Sequence, residues 1–166
     1  MISIIDYGIG NIQAFVYAFS EIGLDYQIAR DSESVKKASK LILPGVGSFD
    51  YAMKKFNSSG LRDSVEELVL GKKIPVLGVC VGMQILFTDS EEGHEKGLGW
   101  MSGTVRKFRS FQGPPLCLPH MGWNTISFSK DSELTRGLHQ ASRLYFLHSY
   151  YVEPEPESIV ATTDYN

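Results

Sequence analysis

The sequence is short of cysteine, has no basic excess and contains no long apolar run. Its two cysteines are Cys80 and Cys117. Two cannot build a disulfide framework, and so low a number points to a reducing, cytoplasmic setting. Acidic residues outnumber basic ones 19 to 16, for a net charge of −3. That excludes the charge footprint of a nucleic-acid binder or of a polybasic membrane-surface protein. The opening Met1-Ile-Ser-Ile-Ile-Asp6 has no basic leader before its apolar run and does not read as a signal peptide. Ile74 to Phe87 is the most apolar stretch, but Pro75, Gly78, Gly82 and Gln84 interrupt it, and it is too short to span a bilayer.

Cofactor motifs are missing as well. Asp6-Tyr-Gly8-Ile-Gly10-Asn11 opens like a dinucleotide fingerprint, but Gln13 stands where the third glycine belongs. No Gly-Lys-Ser/Thr follows a glycine loop, so there is no P-loop. His94, His120, His139 and His148 show no paired ligand spacing. Neither a cofactor nor a metal is expected.

What is present describes a folded protein: 43% hydrophobic and 21% charged residues in a chain of 166. That length suits one domain spanning residues 1–166, without internal repeat or convincing linker. The first half alternates short apolar runs with amphipathic stretches. Ile2–Ile5 reads as a strand. Asn11 caps a helix whose apolar positions are Ile12, Phe15, Val16, Phe19 and Ile22, stopped by Gly23. Tyr26–Ala29 is a second strand and Asp31–Ala38 a short polar helix. Leu41–Leu43 is a third strand, closed by Pro44. Leu61, Val65, Leu68 and Val69 mark a helix ending at Gly71. Val76–Val79 is a fourth strand, and Gly82–Phe87 begins another helix. This is the pattern of an α/β fold, a mostly parallel sheet with helices on both faces.

The second half reads as an antiparallel extension. Thr104–Phe108 and Asn124–Phe128 alternate, while Leu144–Leu147 and Ile159–Thr162 are further apolar strand candidates. Gly113-Pro-Pro and Glu153-Pro-Glu-Pro are loop signals, and the charged run Ser90–Lys96 reads as an exposed loop.

Parallel sheets of this kind bind ligands beyond the carboxyl ends of their strands, which directs attention to residues 6–11, 44–49 and 79–84. Gly78-Val-Cys80-Val-Gly82 places a nucleophile-capable residue at a strand-to-helix turn, flanked by the small residues such an elbow needs. A thiol at a helix start is biased toward thiolate. An inert buried cysteine is the alternative. Pro44-Gly-Val46-Gly47 leaves another strand at the same edge. Beside a Cys elbow it becomes a loop that presents backbone N–H groups to an oxyanion, together with the N–H of Val81.

Gly78-Val-Cys80-Val-Gly82-Met-Gln84, Pro44-Gly-Val-Gly47 and Leu118-Pro-His-Met-Gly-Trp-Asn124 together resemble the class I glutamine amidotransferases. Within that family the chain is similar to the glutaminase subunits of imidazole glycerol phosphate synthase. The opening Ile4-Ile-Asp-Tyr-Gly-Ile-Gly-Asn11 and the later Tyr145-Phe-Leu-His-Ser-Tyr150 match them too, so the likeness runs along essentially the whole chain. The resemblance implies the flavodoxin-like sheet of that family and glutamine as substrate. It implies Cys80 as nucleophile, an oxyanion loop at Val46, Gly47 and Val81, and glutamine held by Gln84, Glu92, Ser149 and Tyr150. It also implies a partner, a (β/α)8-barrel synthase subunit, met by Pro119, His120, Met121, Trp123 and Asn124. The ammonia would serve imidazole glycerol phosphate formation in histidine biosynthesis.

The family's Phe-His-Pro-Glu motif, source of the general base and its carboxylate, has no counterpart here. The expectation is a chain incomplete at its C-terminus, with His148 as the least implausible substitute base and a hydrogen-bonded structural role as its alternative. Three rival readings stand beside the first. One is a paralogous amidotransferase feeding another acceptor, such as a surface-polysaccharide sugar. Another is a docking subunit without hydrolysis. The third is a stress-response protein with a Cys elbow and no barrel partner.

Overall fold

The computed structural model describes residues 1–109 and 116–165. The expected Gly113-Pro-Pro loop lies outside the described residues.

Four strands, β1 (Ile2–Ile5), β2 (Tyr26–Ala29), β3 (Lys40–Leu43) and β4 (Val76–Gly78), form one sheet in the order β2-β1-β3-β4. All of its pairings are parallel; Ile4 sits opposite Ile28 and Ile42, and Ile42 opposite Leu77. The connection β1 to β2 runs one way across the sheet, and the next two run the other way. Right-handed crossovers then put α1 (Ile12–Glu21) on one face and α2 (Ser32–Lys36), α3 (Phe49–Ser58) and α4 (Arg62–Glu66) on the opposite one. A π turn, Glu67–Gly71, continues α4.

The two faces are filled unequally. Ile5, Leu41 and Leu43 join Val35, Phe49, Met53, Phe56, Leu61, Val65 and Leu68 in the main core. Fully burying an aliphatic or phenyl side chain of this size contributes about 1.5–3 kcal/mol. On the other face α1 is capped as expected, the Asn11 side chain accepting the Ala14 N–H, but none of its residues is fully buried. Phe19 reaches Tyr26 of β2, with ring centroids 5.8 Å apart. Leu77, on the edge strand, is 38% exposed.

α3 is absent from the elements expected above. Its buried residues Phe49, Ala52, Met53 and Phe56 nevertheless fall at helical spacing on one face. The helix expected over Gly82–Phe87 is a single turn, α5 (Val81–Gln84). It stops because its next carbonyls are claimed from outside. Leu98 N–H donates to Ile85, Trp100 N–H to Leu86 and Gly99 N–H to Phe87.

The remainder forms small sheets. β5 (Asp89–Ser90) pairs parallel to β6 (Gly103–Lys107), which pairs antiparallel to β10 (Tyr150–Pro154). β7 (His120–Thr125) pairs antiparallel with β9 (Arg143–His148), and β8 (Ser127–Phe128) with β11 (Ala161–Thr162). The expected strand Asn124–Phe128 is thus split at buried Ile126 between β7 and β8. Glu153 and Pro154 end a strand instead of lying in a loop, because Glu153 pairs with Thr104 and Pro154 with Gly103. The run Ser90–Lys96 is tied down more than its charge suggests. Ser90 is buried, Glu91 N–H donates to Val105, and the Asp50 carboxylate accepts the N–H groups of His94 and Glu95. Among the described residues, no helix is long and apolar enough to cross a membrane.

Candidate active site

Cys80 follows β4 with φ 57° and ψ −129°, a conformation that costs a non-glycine residue about 1–3 kcal/mol. The thiol is exposed. Two glycines make the sharp turn feasible. A Cβ on Gly78 would lie 2.5 Å from Met83 Cα, and one on Gly82 would lie 2.1 Å from the Leu43 carbonyl oxygen. The neighbouring loop is as close, since a Cβ on Gly45 would lie 2.2 Å from the Gly82 nitrogen. The Gly45 loop and the Cys80 elbow therefore meet backbone to backbone. α5 has one turn of aligned peptides. One turn carries little of the dipole that a longer helix would present to the thiol.

A cleft of about 250 Å³ opens beside the thiol, lined by Gly47, Cys80, Val81, Gln84, Glu92, Pro119, Leu147, His148, Ser149 and Tyr150. The structure thus brings together Cys80, Gly47, Val81, Gln84, Glu92, Ser149 and Tyr150 from four separate stretches of chain. Val46, 55% exposed, stands outside that lining. Gln84 is buried and its amide Nε2 donates to the Tyr150 carbonyl at 3.4 Å. Glu92 is half-buried and its Oε2 accepts the Phe49 N–H at 2.8 Å. It thereby sits at the N-terminus of α3, where the helix dipole favours a carboxylate. Asp50 supports the same loop. The backbone N–H groups of Glu95 and His94 hold its carboxyl below the usual range, and a Cβ on Gly93 would lie 1.9 Å from its Oδ1.

The five residues expected at a partner interface do not share a face. β7 is pleated, so Met121 and Trp123 point out and are 64% and 62% exposed. Opposite them in register stand Leu147 and Tyr145 of β9, also exposed. His120 and Asn124 alternate to the other side, and Pro119 lines the cleft. His120 is only 3% exposed, on the side of β7 away from Met121 and Trp123. Asn124 is half-buried and its Nδ2 donates to the Asp164 carbonyl at 2.7 Å, so it too turns away from the exposed face.

His148 is engaged at both ring nitrogens. Nδ1 lies 2.8 Å from the Tyr150 carbonyl and Nε2 lies 3.1 Å from His120 Nδ1. The carbonyl accepts only, so Nδ1 carries the proton and Nε2 accepts from His120. His120 Nε2 in turn accepts from Asn124 Nδ2, 3.3 Å away. With both imidazoles neutral every atom in this chain is satisfied. The structural alternative for His148 is what the geometry favours, and no lone pair is left for Cys80. Sequence reasoning missed Leu147, Asp50 and the His120–His148 pair. Among the described residues no group of three His, Cys, Asp or Glu side chains gathers to hold a metal ion.

The glutamine amidotransferase class-I family model matches residues 3–166. The imidazole glycerol phosphate synthase subunit HisH of Leptospira interrogans is 47% identical over 167 residues, covering 99% of this chain and 82% of that protein. The subunit of the same name from Geobacillus kaustophilus is 44% identical, covering 100% and 80%. A solved glutamine amidotransferase superposes with a TM-score of 0.72 at 17% identity, over 96% of this chain and 78% of its own, a likeness of fold. The elbow, the cleft and these relationships agree, and the chain belongs to the class I glutamine amidotransferases.

Proposed function

We propose that this chain is the glutaminase subunit of an imidazole glycerol phosphate synthase, working in the cytoplasm in histidine biosynthesis. The observation that carries the reading is the strained, exposed Cys80 in one cleft with Gln84, Glu92, Ser149 and Tyr150. The Cys80 thiolate attacks the side-chain amide carbon of glutamine. The tetrahedral oxyanion is met by N–H groups of Val81 and of the Val46–Gly47 loop. The C–N bond breaks, the nitrogen takes up a proton and leaves as ammonia, and a glutamyl thioester remains. Water then adds to the thioester carbon, glutamate leaves and the thiol is restored. Gln84, Glu92 and the backbone of Ser149 and Tyr150 hold the amino-acid end of glutamine. Glu92 offers a carboxylate to its ammonium, and the backbone groups answer its polar atoms. His148 holds the Tyr150 carbonyl and is not the base.

The exposed face of β7 and β9, with Met121, Trp123, Tyr145 and Leu147, is the proposed seat of a (β/α)8-barrel synthase subunit that receives the ammonia. Aromatic residues and Met are enriched in the cores of such interfaces.

The test is reconstitution with the barrel subunit and its nucleotide substrate. Glutamine should support product formation. Cys80→Ala should abolish that, while ammonium salts still support it. A glutamine-like electrophile should label Cys80. If glutamine fails where ammonium succeeds with the unmodified complex, and Cys80 escapes the label, the subunit docks without hydrolysing.

A further inference from the structure

The turn Asp6–Asn11 lacks the third glycine of a dinucleotide site, yet it is built tightly against the loop that follows β3. The Tyr7 hydroxyl donates to the Pro44 carbonyl oxygen at 2.6 Å. Tyr7 is buried in the main core, and its ring meets Phe56 edge-on with centroids 5.3 Å apart. Gly10, on the same turn with φ +102°, approaches Pro44 so closely that a Cβ would lie 2.8 Å from Pro44 Cβ. From the elbow, a Cβ on Gly82 would lie 2.8 Å from the Pro44 carbonyl oxygen. Pro44 is therefore held by the β1–α1 turn and by α5 together. The far end of the same loop is held by Phe49 N–H on Glu92. Gly45, Val46, Gly47 and Ser48 span the gap between those two anchors, beside Cys80.

We propose that Tyr7 is a positioning residue for the reaction at Cys80: its hydroxyl orients the Pro44–Gly45 peptide, and with it the N–H groups that Gly45–Gly47 present to the oxyanion. The inference rests on Cys80 being the nucleophile of an acyl transfer. Proline has no N–H, so its carbonyl is the one polar handle by which the backbone at Pro44 can be tied. Donors of this kind act through preorganisation, and loss of one costs about 10²–10³ in rate. Loosening the loop that carries them costs less. Burial pushes the Tyr7 phenol above its ordinary pKa, and the nearby Cys80 pushes it the same way. It stays a donor while Cys80 is ionised.

Tyr7→Phe keeps the ring and removes the bond. In the complex with the barrel subunit it should lower kcat about tenfold and leave KM for glutamine within about twofold, the signature of an interaction made in the transition state. Alkylation of Cys80 by iodoacetamide, which forms no oxyanion, should keep its rate. Amide exchange at Gly45–Gly47 should accelerate, while β3 and α5 keep their protection. Phe56→Leu, which loosens the ring's packing and spares the hydroxyl, should keep kcat while it lowers Tm. An unchanged kcat for Tyr7→Phe, a loss confined to KM, or an equal kcat loss in Phe56→Leu would overturn the proposal. If the unmodified complex releases no glutamate from glutamine, the glutaminase reading fails. Exchange at Gly45–Gly47 then still decides whether Tyr7 orients the loop, and unchanged exchange rejects it.

Discussion

His120 and His148 face each other across β7 and β9, with Nδ1 of one 3.1 Å from Nε2 of the other. The pair joins the strand that carries Met121 and Trp123 to the Tyr150 carbonyl in the cleft. Its hydrogen bonds need both rings neutral. A further proton would put a donor on His120 Nε2, against the Asn124 amide.

This arrangement has a pH signature. Burial, and next the neighbouring His148, lower the pKa of His120 below the usual imidazole value. Tyr165 stacks on the same ring at 4.0 Å and Phe146 at 4.6 Å, and neither brings a counter-charge. The unfolded state binds the proton more readily than the folded one. The stability that neutral His120 contributes is therefore complete above the ordinary value near 6.5 and is lost as pH falls below it toward the lowered folded value. Tm should hold steady well above the ordinary imidazole value and decline as pH falls below it. His120→Gln should lower Tm at pH 8 and flatten that slope. An unaltered slope would dissociate His120 from it.

The closest backbone approaches in the site predict which of its glycines tolerate least. A methyl on Gly82 would meet the Leu43 carbonyl oxygen at 2.1 Å, and one on Gly45 would meet the Gly82 nitrogen at 2.2 Å. Neither obstacle is a side-chain end that can swing away. Gly82→Ala should destabilise by about 3 kcal/mol or more, at the upper end for overpacking. Gly71→Ala, where a Cβ meets open space, should stay within about 0.5 kcal/mol of the unmodified protein. Denaturant midpoints at constant slope make the comparison, and equal midpoints would refute the steric account.

The exposed face of β7 and β9 predicts where binding energy concentrates. Trp123 and Tyr145 are cross-strand partners with ring centroids 5.8 Å apart, and Met121 pairs with Leu147. On the proposed seating of a barrel subunit there, Trp123→Ala should weaken its binding by about 2 kcal/mol, roughly 30-fold in Kd. Tyr17→Ala, at an equally exposed aromatic on α1, should change Kd less than about twofold. Titration calorimetry separates the two, and equal effects would move the interface elsewhere.

The parallel sheet, the Cys elbow and its glycines were legible because local spacing encodes them. So were Gly47, Cys80, Val81, Gln84, Ser149 and Tyr150 of the cleft lining, through the family's motifs, whereas the places of Leu147 and Pro119 in it were not. The face of each residue expected at an interface was not read, although alternation in β7 separates Met121 and Trp123 from His120 and Asn124, because a six-residue motif taken as one block conceals that parity. What no local pattern contains are the long-range ties. Tyr7 meets Pro44 across 37 residues, Phe49 meets Glu92 across 43 and His94 meets Asp50 across 44. These contacts depend on which strands become neighbours. The early stop of α5 also has a non-local origin, because N–H groups of Leu98–Trp100 take the carbonyls of Ile85–Phe87 that follow it.

The strain at Cys80 yields the last prediction. Its φ of 57° with ψ of −129° is a conformation glycine adopts freely and other residues resist. A relaxed backbone there would rotate the Cα–Cβ bond and take the sulfur away from the cleft it now lines. The conformation persists because Gly78, Gly45 and Gly82 pack the turn on both sides and leave it no room to relax. Cys80→Ala removes the sulfur but keeps the strained side-chain stem, whereas Cys80→Gly removes both. The glycine variant should therefore be the more stable of the two by about 1 kcal/mol, even after its greater unfolded-state entropy. For a chain of this size that is about 2–4 °C in Tm. Both variants lack the thiol, so chemistry cannot account for the order. If alanine proved as stable as glycine, the elbow would store no strain. The exposure of the thiol would then need another cause.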